Sequence, residues 1–216
     1  MIYYSKAEDR LNTWSHAVGI LIGIVMGFIF LSRCILAGDG IATFSIVLYL
    51  AGMLACYISS TAYHGLPSDS SLRDVLRQWD HAAIYWHIAG SYSPVTLIAM
   101  RDNGLWGYGL FAFQWMAAAV GTFVSFRKLE EHSHLEIACF LAMGLSVLAV
   151  FKPFMDCVEP HVVGWIIAEG AFYVIGAIIF AVSPNRPYFH AVFHFFVLGG
   201  SISHLVCVWY ILQQFL

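Results

Sequence analysis

Two histidines four residues apart, His190 and His194 in "FHAVFHFF", lie one turn apart on the same face of a helix. This is the spacing at which two side chains can share one metal ion. A third imidazole, His64 in "SSTAYHGLP", follows Ser60 by four residues. Asp80, His87 and Ser91 are separated by seven and then four positions, so they form a polar stripe along one helix face. Asn12 and His16 repeat the four-residue relation near the N-terminus. Three neutral imidazoles with an oxygen donor suit Zn2+ in tetrahedral coordination, and three protein ligands leave one position for water. His64, His190 and His194 are therefore the expected direct ligands. Asp80 would engage the metal's water, orienting it or acting as general base, and Ser60 would hydrogen-bond nearby.

Whether these groups meet depends on the elements that carry them. The chain of 216 residues is 60% apolar, 16% aromatic and only 11% charged, with a mean hydropathy of +0.76. A soluble domain carries about 25% charged residues. There is too little polar surface here to coat a globule, so the expected class is an all-α integral membrane protein, one domain over residues 1–216. Apolar runs separated by short charged or Pro/Gly-bearing breaks predict seven transmembrane helices, at 15–37, 41–63, 79–99, 105–126, 135–152, 162–182 and 190–213. Each is about 18–24 residues long, enough to cross about 30 Å of hydrocarbon at 1.5 Å per residue. The net charge of −3, with scattered basic residues, leaves no footprint for nucleic acid. The five cysteines show neither a disulfide framework nor paired metal spacing. The polar N-terminal segment lacks a signal-peptide pattern.

Basic residues orient the bundle. Lys6, Arg10, Arg73, Arg77, Arg127, Lys128 and Arg186 fall in the N-terminal segment and the second, fourth and sixth loops, whereas Arg33, Arg101 and Lys152 fall at the opposite ends. The bias puts the N-terminus in the cytoplasm and the C-terminus outside. His64 then closes the second span, Asp80 opens the third, and His190 and His194 open the seventh, all at the cytoplasmic end. Ionisable groups inside a membrane are costly and tend to be functional, which favours a shared site over isolated interhelical hydrogen bonds. In the second loop, "SSLRDVLRQWD" offers a Ser71/Asp74 capping pattern and an apolar face of Leu72, Val75, Leu76 and Trp79. It reads equally as a short amphipathic helix on the inner membrane surface or as a partly ordered loop.

At these residues the sequence resembles the bacterial hemolysin III group, related to the progestin and adipoQ receptors. The matching pieces are "NTWSHAVG", "SSTAYHGLP", "DHAAIYWHIAGSYSP" and "HAVFHFFVLGGSISH", in order along nearly the whole chain. The resemblance implies a seven-helix bundle with its N-terminus inside, in a bacterial inner membrane, and a zinc site near the cytoplasmic side. The family's S-x-x-x-H motif falls on Ser60 and His64, its aspartate on Asp80 and its H-x-x-x-H motif on His190 and His194. The wider superfamily includes alkaline ceramidases, which implies metal-dependent hydrolysis of a lipid amide. Bacterial relatives bear a cytolysin name and have been linked to pores and to membrane-lipid homeostasis. Glu169 departs from the pattern, since similar sequences favour a small residue there. It reads as a protonated partner of a neighbouring helix or as part of a polar cavity wall.

The remaining polar residues read as structural or as lining. His81 points about 100° from Asp80 and is expected in packing or a hydrogen bond. His87 is a candidate for the cavity wall. His204 lies about 20 Å beyond His190 along the axis and cannot share its metal, so bonding to Ser201 or a cavity role is expected. His16 suits interhelical bonding or support of the ligands, His132 and His134 a solvated loop, and His161 a cap on the sixth span. Gly199 and Gly200 would permit close helix approach. Three functions compete: a zinc-dependent hydrolase of a lipid amide or ester, a sensor with structural zinc, and a pore-former. No span shows the continuous polar face of a single-chain conduction path, and membrane lipids are the expected partners.

Overall fold

The computed structural model describes residues 5–127, 133–184 and 186–216; Lys128 and His132 lie outside them. Every regular element among the described residues is helical: α1 (Lys6–Leu36), α2 (Gly40–Gly65), α3 (Leu72–Pro94), α4 (Leu105–Ser125), α5 (His134–Gly144), α6 (Phe151–Met155), α7 (Pro160–Val182) and α8 (Phe189–Phe215). A 3-10 turn, Leu145–Val150, joins α5 to α6 in one rod. The eight helices therefore make seven rods.

Six of the rods are long and apolar enough to cross a membrane; α3 is not. Its first turns carry Arg73, Asp74, Arg77 and Asp80, which interrupt the apolar run. Burial compensates further along, where Ala82, Ala83, Tyr85, His87 and the run Ala89–Pro94 are enclosed, chiefly by α2 and α4. The segment expected as a separate surface helix or loop is neither. It is the start of α3, and Ser71 makes no side-chain cap. Arg73 is held inside the fold because its Nη1 donates to the Leu66 carbonyl at 2.7 Å and its Nη2 to Asp9 at 2.8 Å.

Contacts at both ends show that the rods alternate in direction. One end, called here the near end, gathers the start of α1, the end of α2 and the starts of α3 and α8, through Asp9–His64, Asp9–Arg73 and Glu8–Tyr188. His81 of α3 meets Glu136 of α5 at 2.7 Å at this end. At the far end Arg101 donates to Asp39 at 2.7 Å, Asn103 to the Pro153 carbonyl and Gln214 to the Cys157 carbonyl. Asp39 also caps α2 by accepting from the Ala42 N–H at 2.8 Å. The hydrogen bond from Arg101 holds the Asp39 carboxyl below its ordinary range. His161, expected to cap the sixth span, does not: Glu159 occupies the cap position of α7 and Pro160 its first turn. The His161 ring packs edge-on against Tyr210 instead, with centroids 4.3 Å apart.

Small residues set how closely the rods approach. A Cβ on Gly52 of α2 would lie 2.2 Å from the Trp86 carbonyl oxygen of α3, so only glycine fits there. On α8, Cβ atoms on Gly199 and Gly200 would strike the rings of Phe172 and Tyr173 on α7. Large apolar side chains such as Phe28, Met116 and Ile178 point outward, the arrangement suited to a lipid surround.

Candidate metal centre

His64 ends α2, while His190 and His194 occupy the first two turns of α8. All three are buried. The Nε2 atoms of His190 and His194 are 3.0 Å apart, and those of His190 and His64 are 3.3 Å apart. One ligand atom from each ring lies within 4.8 Å of those of the other two. Four donors around a metal at about 2.05 Å in tetrahedral array stand about 3.3 Å from one another. The observed spacing therefore fits a single metal ion facing three Nε2 lone pairs.

The opposite edges of the rings support this assignment. With Nε2 used as a ligand, Nδ1 carries the proton and must donate. His64 Nδ1 has the Asp9 carboxylate at 3.2 Å as its acceptor; the Asn12 amide nitrogen, 3.3 Å away, is itself a donor and does not take that proton. His194 Nδ1 has the Asn12 carbonyl and Ser15 Oγ, both at 3.4 Å. The His16 ring stacks on His194, with centroids 3.9 Å apart and planes 18° from parallel. Asp9, Asn12, Ser15 and His16 thus make α1 the scaffold that orients two of the three imidazoles. Asn12 and His16 stand out by their spacing in the sequence; Asp9 and Ser15 do not, although they fall on the same helix face.

The entry to α8 is built with equal specificity. Tyr188, which precedes Phe189 and His190, has φ of 64°, a left-handed conformation that costs a bulky residue energy. Its N–H donates to the Glu8 carboxylate. Glu8 is itself fixed by a reciprocal capping box with Ser5. The first turn of α1 therefore holds the turn that sets His190.

A cavity of about 520 Å3 extends from this centre between α3, α5, α7 and α8. At the near end its wall includes Ser60, Asp80, His190 and His194; along its length it is mostly apolar; deeper, it reaches His87, Glu169 and His204. Ser60 Oγ lies beside Asp80 without completing a hydrogen bond to it. His81 faces away from the cluster, onto Glu136, which Ser125 also holds. His134, in the first turn of α5, is exposed. Of the two roles expected for His204, the bond to Ser201 is not made and the place in the cavity wall is; its Nδ1 meets Glu169 at 2.7 Å. Ser201 instead accepts from Tyr57 at 2.7 Å and approaches Tyr173 and His87. Glu169 both bonds α7 to α8 and lines the cavity.

Fold and site together define a multi-pass helical membrane protein with a buried tri-histidine cluster able to coordinate a metal ion. The chain belongs to the haemolysin-III related family, whose model matches residues 4–205. It is 31% identical to Hemolysin-3 of Bacillus cereus over 203 residues, covering 93% of this chain and 90% of that one. It is 30% identical to the Hemolysin-3 homolog of Bacillus subtilis over 208 residues, with 95% and 94% coverage. The human Monocyte to macrophage differentiation factor is 28% identical over 208 residues, with 94% and 83% coverage. The relation to bacterial hemolysin-3 proteins fits an inner-membrane location.

Proposed function

We propose that the protein is a zinc-dependent membrane hydrolase acting on a lipid amide or ester, in the upkeep of membrane-lipid composition. The observation that carries this reading is the position of the cluster: three histidine donors, and no fourth protein ligand among the described residues, at the mouth of a long apolar cavity. A purely structural zinc is normally closed off by four protein ligands. Zinc bound there would supply a Lewis acid for a carbonyl and for the attacking water. His64, His190 and His194 would hold the ion through Nε2, and α1 faces the Nδ1 edges of His64 and His194. Asp80, in the same wall, takes the proton from water as general base. Ser60 Oγ, free to turn its O–H toward the cavity, donates to the developing oxyanion. The apolar cavity takes the acyl chain and keeps bulk water from the reacting bond.

In this reading α3 crosses the membrane as a seventh span, shielded by its neighbours, with the near end and N-terminus in the cytoplasm and the C-terminus outside. The support is the excess of basic residues at the near end. Reporter fusions to the C-terminus would read external activity; internal activity would reverse the orientation.

The chemistry is tested by metal analysis and a lipid-amide hydrolysis screen on purified protein and on a His190→Ala/His194→Ala variant. Bound zinc that disappears in the variant, together with turnover in the parent, is expected. Asp80→Asn should retain zinc and lose turnover about 10²–10⁴-fold. Zinc with no turnover of any lipid amide or ester would move the assignment to a sensor whose metal ties α2 to α8.

A further inference from the structure

A second polar group is buried deep in the cavity, well away from the histidine cluster. Glu169 on α7 accepts from His204 Nδ1 on α8 at 2.7 Å. His204 is only 2% exposed, yet its Nε2 has no hydrogen-bond partner. The ring forms part of the cavity wall, as does Glu169. Tyr49 stands edge-on to the His204 ring at 5.0 Å, and its hydroxyl is also buried and unpartnered. Leaving such a nitrogen unsatisfied in an apolar surround is unfavourable, because it gives up its bond to water and gains none. Apolar side chains at both positions would have avoided the cost, so the pair implies a polar visitor.

We propose that Glu169 and His204 form a polar subsite for a hydroxyl carried part-way along an otherwise apolar chain whose head lies at the metal centre. The subsite rests on the reading of the cavity as an amphiphile site. A hydroxyl both donates and accepts, so it satisfies His204 Nε2 whichever ring nitrogen holds the proton. A charged ammonium would instead have to shed its hydration among apolar walls. Ten residues separate His194 from His204, about 15 Å of helix at 1.5 Å per residue, a span that about twelve carbons of an extended alkyl chain would cover. The ligand class is thus a long-chain acyl compound hydroxylated near its twelfth carbon, in contrast to one hydroxylated beside its head.

The test uses full-length protein in detergent micelles. It measures direct binding of octadecanoic, 12-hydroxyoctadecanoic and 2-hydroxyoctadecanoic acids. The 12-hydroxy acid should bind about tenfold more tightly than octadecanoic acid, a difference of about 1.4 kcal/mol, and the 2-hydroxy acid should gain nothing. His204→Phe should abolish the preference, bringing the 12-hydroxy acid to the affinity that octadecanoic acid has in the same variant. Glu169→Gln, which still accepts from Nδ1, should keep part of it. Equal affinity for the 12-hydroxy and unsubstituted acids, a preference that survives His204→Phe, or no saturable binding of any acid would overturn the subsite. If His204→Phe does not fold, the positional comparison in the parent protein decides. Preference without lipid-amide turnover would remove the hydrolase and keep the subsite; turnover without preference would do the reverse.

Discussion

Asp9 provides the sharpest test of how the imidazoles are held. Its Oδ1 accepts from Arg73 Nη2 at 2.8 Å and faces His64 Nδ1 at 3.2 Å, while the His64 side chain is fully enclosed. In Asp9→Asn the shape is kept but the negative charge is lost, and with it the strong acceptor that fixes the Nδ1–H tautomer. Loss of such a carboxylate partner typically lowers metal affinity about 10–100-fold, or about 1.4–2.7 kcal/mol. Zinc affinity would be measured by competition with a chromophoric chelator on purified parent, Asp9→Asn, His64→Ala and the double variant. If Asp9 acts through His64, its loss should weaken zinc binding in the parent background and have little effect once His64 is absent. Unchanged affinity in Asp9→Asn, or an equal loss with and without His64, would refute the reasoning. An Arg73→Gln control should fall less, because it leaves the Asp9–His64 contact in place.

Glu8→Gln should weaken the hold on the left-handed Tyr188 turn, lowering the melting temperature and loosening zinc binding less than Asp9→Asn does; an unchanged melting curve would count against that latch. Gly52→Ala forces a Cβ to 2.2 Å from the Trp86 carbonyl and should cost about 1–3 kcal/mol, read as a lower melting temperature, because backbone cannot yield as a side-chain tip can. The Asp39–Arg101 pair predicts an acid limb. Since the folded carboxyl titrates lower than the unfolded one, its contribution is complete above about pH 4 and disappears as pH falls through the lowered folded value. Arg101→Gln should flatten that part of a melting-temperature profile; an unchanged slope below pH 4 would contradict it.

Much of the near-end chemistry is legible in the chain because helices convert spacing into direction. His190 and His194 share a face by periodicity, and His64 stands at a break between apolar runs, which puts it at the end of α2 with Ser60 one turn before it, whereas Asp80, expected to open its span, lies two turns inside α3. The start of α3 escapes the same reasoning. Its charged residues break the apolar signal, yet Arg73 is accommodated through Asp9 and the Leu66 carbonyl, partners 64 and seven residues away. The support from α1 escapes it too: Ser15 and His194 are 179 residues apart, and nothing local in either segment announces the contact. His204 illustrates the limit from the other side. Ser201, three residues earlier, is the natural partner on paper, but the two side chains are turned to different neighbours, and Glu169 on α7 takes the ring.

Composition by itself determined that the chain is a helical membrane protein, since 11% charged residues cannot clothe a soluble globule. Helical periodicity selected the histidines that are able to share an ion. Tertiary structure alone decided that the Nε2 atoms of His190 and His194 stand 3.0 Å apart and those of His190 and His64 3.3 Å apart, that α1 holds the outer edges of His64 and His194, and that the cavity beyond them is lined by a bonded Glu169–His204 pair. The physical reason is one of scale. The rise and rotation of a helix are local properties, whereas ligand distances depend on how closely neighbouring rods approach, set at Gly52 and Gly200 by contacts between residues far apart in the chain.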